Sequence, residues 1–378
     1  MDRYTRAPLT VVFFISGHGF GHASREVEVI RALARSRPEL RLIVRSAVSP
    51  SLLARTLTVP HELRPGPCDA AIVQPSSITH DDEATVREAV AFYREFDARV
   101  EAETRGLGQD RVALIVGDIP PLAFEVARRL GVPSAAIANF TWDWIFETHP
   151  GMTEAAPWLV PRLRAAYRQA TLALELPFSG GFEVFPASRR IPLVARQHTR
   201  SAAETRARFS LAADRPAALL SFGGYGLPNL ELATIDILRS GWTVVTTDRS
   251  SGGAAVPPGV VFVAEADFSD SGFRYEDLVA AVDVVVTKPG YGIISECISA
   301  NRPMLYTSRG QFREYDVLLR EMPQYLRCRF IDQRTLMQGN WSDAIGALRA
   351  QPAPPGRMDL NGADVAANAL SDLLDASR

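Results

Sequence analysis

Apolar residues in this chain gather into short β-branched runs, each followed by a glycine or proline turn and then by a stretch with helical spacing. Leu9 to Ile15 is a continuous apolar run of the kind buried on both faces of a parallel sheet. After Ser16-Gly17-His18-Gly19-Phe20-Gly21-His22, a helix is expected over about 23–36, with Val27, Ile30, Leu33 and Ala34 on one face. Leu40 to Val44 reads as the next strand, which implies a right-handed crossover. Prolines interrupt residues 50–80. The pattern then predicts one long amphipathic helix over 82–105, a strand over 112–118, a helix over 120–130 and a strand over 134–139. An aromatic loop over 139–144 and a strand over 171–176 complete this half, and Pro177 to Ser210 reads as a connection between domains.

From Ala217 the rhythm restarts with a strand, the turn Gly223-Gly224-Tyr225-Gly226 and a helix from Asn229. Strands over 242–247 and 260–265 and a helix over 275–281 lead to Asp283 to Thr287, a strand that ends in Lys288-Pro289-Gly290. A helix from about Gly292, a strand at Tyr306 and helices over 311–321, 332–338, 341–350 and 362–377 follow. The expected architecture is α/β: two doubly wound parallel-sheet domains, with the cleft between them the default ligand site. The boundaries are expected at 1–190 and 191–360, with 361–378 a terminal helix returning to the first domain.

At 378 residues the chain is long enough for two domains, and 47% hydrophobic residues suffice for two cores. A net charge of −2 gives no argument for nucleic acid. Cys68, Cys297 and Cys328 are far apart and odd in number, which points to no disulfide framework and to a reducing, cytoplasmic compartment. Arg3 and Arg6 before an apolar run mimic a secretion signal, but the run is short, β-branched and followed by GHGFGHASR, so it reads as the first strand. No segment approaches the length of a membrane span.

The stretch 283–307 carries the clearest chemistry. Gly290 and Gly292 remove side chains where a ligand would meet the backbone, and a helix beginning there offers unpaired N–H groups and a positive dipole end to a diphosphate. Glu296, one turn inside, is placed to accept hydrogen bonds from ribose hydroxyls. The same glycines also suit an ordinary tight turn, and Lys288 reads equally as added positive charge or as a solvated loop lysine.

GHGFGH fails the dinucleotide fingerprint because His22 stands where the third glycine belongs. His18 and His22 have the spacing of a helical metal pair, but Gly19 and Gly21 argue against a helix between them. His22 is either a turn-stabilising side chain or a general base at the end of the first strand. No phosphate loop of the G-x-x-x-x-G-K type and no G-x-S-x-G elbow occurs. Asp81-Asp82-Glu83 reads as a helix start.

VFFISGHGFGHASREVEVIRAL, GDIPPLAFEVARRLGVPSAAIANFTWDWI and TKPGYGIISECISANRPMLYTSRGQFRE together resemble the glycosyltransferase-like N-terminal region of plant L-arabinokinases and its stand-alone bacterial relatives. More distantly, the chain is similar to the transferase that adds N-acetylglucosamine to the lipid-linked peptidoglycan precursor. The resemblance spans about residues 10 to 350 and implies the GT-B fold, two Rossmann-like domains facing across a cleft. It implies an inverting, metal-independent glycosyltransferase with no cofactor, moving a sugar from a nucleoside-diphosphate sugar, most readily a UDP-sugar, to an acceptor hydroxyl. It implies no sugar kinase activity.

By the same resemblance Gly290, Tyr291, Gly292 and Ile293 face the diphosphate beside Lys288, and Glu296 holds the ribose. Glu314 lies near the donor-sugar hydroxyls, and Phe222, Gly223 and Gly224 cover the nucleotide. His22 and Asp118 are the candidate catalytic residues, with His18, Gly19, Gly21, Asn139, Trp142 and Asp143 on the acceptor side. The acceptor is left open among small molecules, glycans and lipid-linked molecules, and with it a peripheral position at a membrane. A nucleotide-sugar epimerase or hydrolase, and a nucleotide-sugar-binding module without turnover, are the alternative readings.

Overall fold

A computed structural model describes residues 8–17, 21–223, 226–227, 229–248, 256–268, 271–310 and 312–376. It divides into two compact units. The first comprises Met1–Val73, Asp81–Val194 and Asp359–Arg378, and the second Gln74–His80 and Ala195–Met358.

The first unit is built on seven strands: β1 (Thr10–Ile15), β2 (Arg41–Ser46), β3 (Glu62–Pro65), β4 (Val112–Asp118), β5 (Ser134–Phe140), β6 (Leu172–Gly180) and β7 (Ser188–Arg190). They lie in the order β3-β2-β1-β4-β5-β6-β7, every pair parallel. All six residues of β1 are buried, as its unbroken apolar run requires of a strand covered on both faces. The chain leaves β1 toward β2 on one side and later toward β4 on the other, so the sheet reverses direction between β1 and β4. Ile15 pairs with Asp118 at that point. Outside the carboxyl ends of strands at such a reversal, neighbouring loops part and leave room for a ligand.

The second unit repeats the plan with β8 (Ala217–Ser221), β9 (Thr243–Thr246), β10 (Val260–Phe262), β11 (Val284–Thr287), β12 (Met304–Tyr306) and β13 (Cys328–Phe330). Their order is β10-β9-β8-β11-β12-β13, again all parallel. Its reversal falls between β8 and β11, where Ser221 pairs with Thr287. The Gly223 turn and Lys288-Pro289-Gly290 therefore emerge side by side.

Several elements differ from those the sequence predicts. The helix expected over 82–105 is two helices, Asp82–Arg94 and Phe96–Leu107, parted at Glu95. Phe92, Tyr93 and Phe96 are all buried around that break, with ring centroids 5.1 and 5.8 Å apart. In place of a helix from Asn229 there are two short 3-10 turns, Leu232–Thr234 and Asp236–Ser240. Leu230, Leu232, Ile235 and Ile237 all join the second core, and their spacing of two, three and two residues cannot be met from one face of an α-helix. The aromatic loop over 139–144 is the end of β5 followed by the helix Trp142–Glu147.

The domain boundary falls at Val194, and two stretches change sides relative to a simple division of the chain. Residues 359–378 belong to the first unit because Leu193 N–H bonds the Asp359 carbonyl at 3.1 Å and Gly362 N–H bonds the Leu193 carbonyl at 3.2 Å. The helix Gly362–Ala376 then lies against the helix Gly21–Ser36. A side chain at Gly362 would collide with the Pro192 carbonyl, its Cβ only 2.2 Å away, so this return requires glycine. Residues 74–80 interrupt the first unit's sequence yet belong to the second.

Candidate functional site

In the first unit, a buried polar cluster stands at the β1/β4 reversal. The helix Gly21–Ser36 starts directly after the glycine loop, and its first turns carry His22, Arg25 and Glu26, three and four residues apart and so on one face. His22 Nδ1 lies 2.8 Å from Asp118 Oδ1 at the end of β4. If Nδ1 donates that bond, the lone pair is on Nε2, the nitrogen that would take a proton. Arg25 grips the same carboxylate, its Nε bonding Asp118 Oδ2 at 2.6 Å and a terminal nitrogen bonding Oδ1. Its other terminal nitrogen bonds Asn139 Oδ1 at 2.6 Å, tying β5 into the network. Phe140 sets its ring edge to face against His22, 5.5 Å between centroids.

Burial alone would raise the pKa of Asp118. The attraction of Arg25 and then of His22 outweighs it and holds this carboxyl below its usual range, so it stays an anion. Glu26 behaves oppositely. It is fully buried and neither oxygen has a hydrogen-bond partner among the described residues. Burial and then the nearby Asp118 push it well above the ordinary carboxyl range, opposed in part by Arg25. Asp69 adds a third carboxyl, which accepts from Trp142 Nε1 at 2.7 Å and from the Ser16 side chain. Burial is the main reason its affinity for protons rises.

The structure thus brings His22, Asp118 and Asn139 together, with Trp142 beside them through Asp69. Trp142 has no exposed surface and acts on this cluster by fixing Asp69. Asp143, expected beside them, is buried and bonded to Arg164 Nε at 3.0 Å, which fastens the helix Trp142–Glu147 to the helix Leu159–Tyr167. Gly21 is the first residue of its helix. His18 and Gly19 lie outside the described residues.

In the second unit, Gly290 caps the helix Tyr291–Ala300 with an extended backbone and no side-chain cap bond, so the first N–H groups keep no protein acceptor of the capping kind. Tyr291, Gly292 and Ile293 are its opening residues. Two cations stand at this end. Lys288 is half-buried, and burial followed by the repulsion of Arg309 lowers it to about 7. Its recorded partner is a neutral amide oxygen, Gln74 Oε1, at 3.4 Å. Arg309 is buried, bonds the Pro289 carbonyl at 3.2 Å and keeps an Nε with no partner among the described residues. Its guanidinium lies 3.8 Å from where a Cβ on Gly290 would be, hence at the helix mouth. Glu314, in the first turn of the helix Arg313–Glu321, is 3.6 Å from Arg309.

Glu296, deep in the same helix, is buried against Arg196. The bonds from Arg196 fall on Oε1, one of them at 2.8 Å. Gly223 has a φ of +66°, a backbone that favours glycine, and nothing within 4 Å of a Cβ there. Phe222 is buried, and Gly224 lies outside the described residues.

Arg25, Glu26 and Asp69 in one unit, and Arg309, Arg196, Gln74 and His80 in the other, are missed by sequence reasoning. Arg25 and Glu26 carry a signal, since they share the helix face of His22. The others are placed by tertiary packing alone. Among the described residues no group of three or more His, Cys, Asp or Glu side chains is arranged to hold a metal, and no helix is long and apolar enough to cross a membrane.

No family model matches the chain. It is 27% identical over 379 residues to L-arabinokinase of Arabidopsis thaliana, covering 96% of this chain and 34% of that protein. It is 31% identical over 235 residues to the UDP-N-acetylglucosamine–N-acetylmuramyl-(pentapeptide) pyrophosphoryl-undecaprenol N-acetylglucosamine transferase of Clavibacter michiganensis, covering 60% and 58%. The chain therefore spans about a third of the first relative and under two thirds of the second. Among solved structures, a spinosyn rhamnosyltransferase superposes with a TM-score of 0.61 at 13% identity, over 98% of this chain and 97% of that one. The chain has the GT-B fold. Within it, the two reversal points just described are occupied by an imidazole–carboxylate pair in one unit and by a cation-rich helix mouth in the other.

Proposed function

We propose that this protein is an inverting glycosyltransferase that uses a nucleoside-diphosphate sugar, with UDP-sugars the first donors to test. The observation that carries this reading is the helix mouth at Gly290. A buried and a half-buried cation and a row of helix N–H groups converge there, and Lys288 has no carboxylate bonded to it among the described residues. Such an arrangement is costly in the absence of an anion and suited to a diphosphate.

Chemically, the acceptor oxygen attacks the anomeric carbon on the face opposite the diphosphate, and the bond from that carbon to the diphosphate oxygen breaks. His22 Nε2 takes the acceptor's proton, and Asp118 stabilises the imidazolium that results. The electron pair of the broken bond leaves with the diphosphate, where the helix N–H groups, Lys288 and Arg309 offset the new charge. We assign that role to these groups and not to a metal ion. Glu296 holds the ribose and Glu314 the donor sugar. The names of the peptidoglycan and spinosyn relatives, both transferases of sugars, support the reaction class.

The test is nucleoside-diphosphate release from UDP-, GDP- and dTDP-sugars across an acceptor panel, with and without EDTA. Acceptor-dependent release that survives EDTA, with inverted product stereochemistry, is expected. Epimer or free sugar formed without acceptor would instead show an epimerase or hydrolase, and binding without turnover a regulatory module.

A further inference from the structure

Residues 74–80, Gln-Pro-Ser-Ser-Ile-Thr-His, stand in the sequence between β3 and the helix Asp82–Arg94, yet they belong to the nucleotide-binding unit. A bond from Asp81 N–H to the Val73 carbonyl at 2.9 Å closes the base of the segment, and Ser76 pairs with Thr79 across its tip. Ile78 packs against the second core. Ser77 is buried and its hydroxyl donates to the carbonyl of Phe222, the residue before the Gly223 turn. Gln74 and His80 are both half-buried.

The amide of Gln74 is oriented by its neighbours. Its Oε1 faces the Lys288 ammonium at 3.4 Å, which fixes Nε2 as the atom 3.2 Å from His80 Nε2. An amide N–H donates there, so His80 Nε2 accepts and its proton is on Nδ1. That Nδ1 stands 3.4 Å from the Cβ position of Gly310, a residue at φ +89° next to Arg309. The His80 ring meets Phe312 edge to face at 6.0 Å, and the Arg309 guanidinium lies 4.8 Å from the same Phe312 ring. A continuous chain His80–Gln74–Lys288 thus ends on one cation, while Phe312 links His80 to the other.

We infer that Gln74 and His80 are positioning residues for the donor diphosphate, Gln74 holding the Lys288 ammonium at the helix mouth and His80 fixing the Gln74 amide. This rests on the donor reading above and extends it to a segment remote in sequence. The groups facing Lys288 are Arg309, with Glu314 behind it, Gln74, with His80 behind it, and the helix N-terminus. A carbonyl on the ammonium favours its charged form, so the identity of residue 74 sets the pH at which the site is ready for an anion.

Calorimetric titration of the full chain with UDP and with uridine, at several pH values between 6 and 9, tests this on Gln74→Ala, Gln74→Glu and His80→Ala, each checked for a cooperative melt. Gln74→Ala and His80→Ala should weaken UDP roughly tenfold and uridine less than about twofold. Gln74→Glu should weaken UDP further, because a carboxylate on Lys288 competes with the diphosphate. The pH midpoint of UDP binding should fall in Gln74→Ala and rise in Gln74→Glu. A purely structural role predicts the near-isosteric Gln74→Glu to be the mildest change and leaves the midpoint fixed. That result, or UDP affinity within twofold of wild type in the folded variants, overturns the inference while the donor reading stands. Wild-type protein that binds neither UDP, GDP nor dTDP overturns both.

Discussion

The two reversal points have the same backbone plan and opposite charge logic. At β1/β4 the charges are matched inside the protein: Arg25 lies on Asp118, which also bonds His22, Ser16 and Trp142 hold Asp69, and burial with Asp118 pushes Glu26 well above the ordinary carboxyl range. At β8/β11 the cations outnumber their bonded anions, and burial, then the repulsion of Arg309, lowers Lys288 far below an ordinary lysine. A balanced cluster is suited to moving a proton without a large change in net charge. A cationic mouth is suited to receiving a dianion, which supplies the missing charge on arrival. On the proposed reading, the contrast divides base catalysis from leaving-group stabilisation, each at an equivalent point of a separate sheet.

Breaking the balanced side should have the largest effect. His22→Ala is expected to lower turnover by roughly a hundredfold or more while UDP affinity stays within about twofold, measured by initial rates alongside calorimetry. An unchanged rate would make His22 a structural partner of Asp118.

On the cationic side, Lys288→Met should lower UDP affinity by roughly ten- to a hundredfold, the range of a charged hydrogen bond. It should also raise the melting temperature by a few degrees near pH 7. The sign follows from linkage. Folded Lys288 titrates at about 7, against about 10.4 for an unfolded lysine. Between those values the unfolded chain binds more protons, so this lysine's cost to stability is complete below pH 7 and fades as pH rises toward its unfolded value. Because the diphosphate needs the protonated amine, UDP affinity should fall as pH rises past about 7, and Lys288→Met should remove that dependence. A flat wild-type profile would sink the assignment.

Glu296→Ala is expected to weaken UDP by about 1.5 to 3 kcal/mol and also to lower the melting temperature, since buried Arg196 loses its closest carboxylate. Unchanged UDP affinity with reduced stability would make Glu296 a partner of Arg196 and nothing more. The smallest change sharpens the comparison from the other direction. Glu26→Gln puts a neutral isostere in place of a carboxyl whose affinity for protons is raised and whose oxygens have no hydrogen-bond partner among the described residues, and should move the melting temperature by less than about 2 °C at pH 7. A large loss of stability would show that Glu26 is ionised and that the first cluster is not balanced as described.

Much of this was readable before the fold. The strand–turn–helix rhythm gave two parallel doubly wound halves because an apolar run with no alternation has only one comfortable place, covered on both faces. The glycine mouth at 290 followed from local rules of the same kind, whereas the helix was expected to begin after His22 and in fact begins at Gly21. Where short-range patterns competed with packing, reading failed: Leu230 to Ile237 looked helical until both ends of the run were drawn into one core, and Phe92 to Phe96 looked continuous until three rings sought one site.

By itself the sequence determined most of the segments that become strands and helices, the order in which they alternate, and the glycine turn that opens the helix at Tyr291, since these depend on periodicity and on residues a few positions apart. Only the tertiary structure decided that Arg25 clamps Asp118 from 93 positions away, that Arg309 stands at the mouth of a helix begun at Tyr291, and that Gln74 reaches Lys288 across 214 positions. The reason is physical: a charge is matched or left unmatched by whatever neighbours it in space, and burial multiplies that difference in a way no spacing along the chain records.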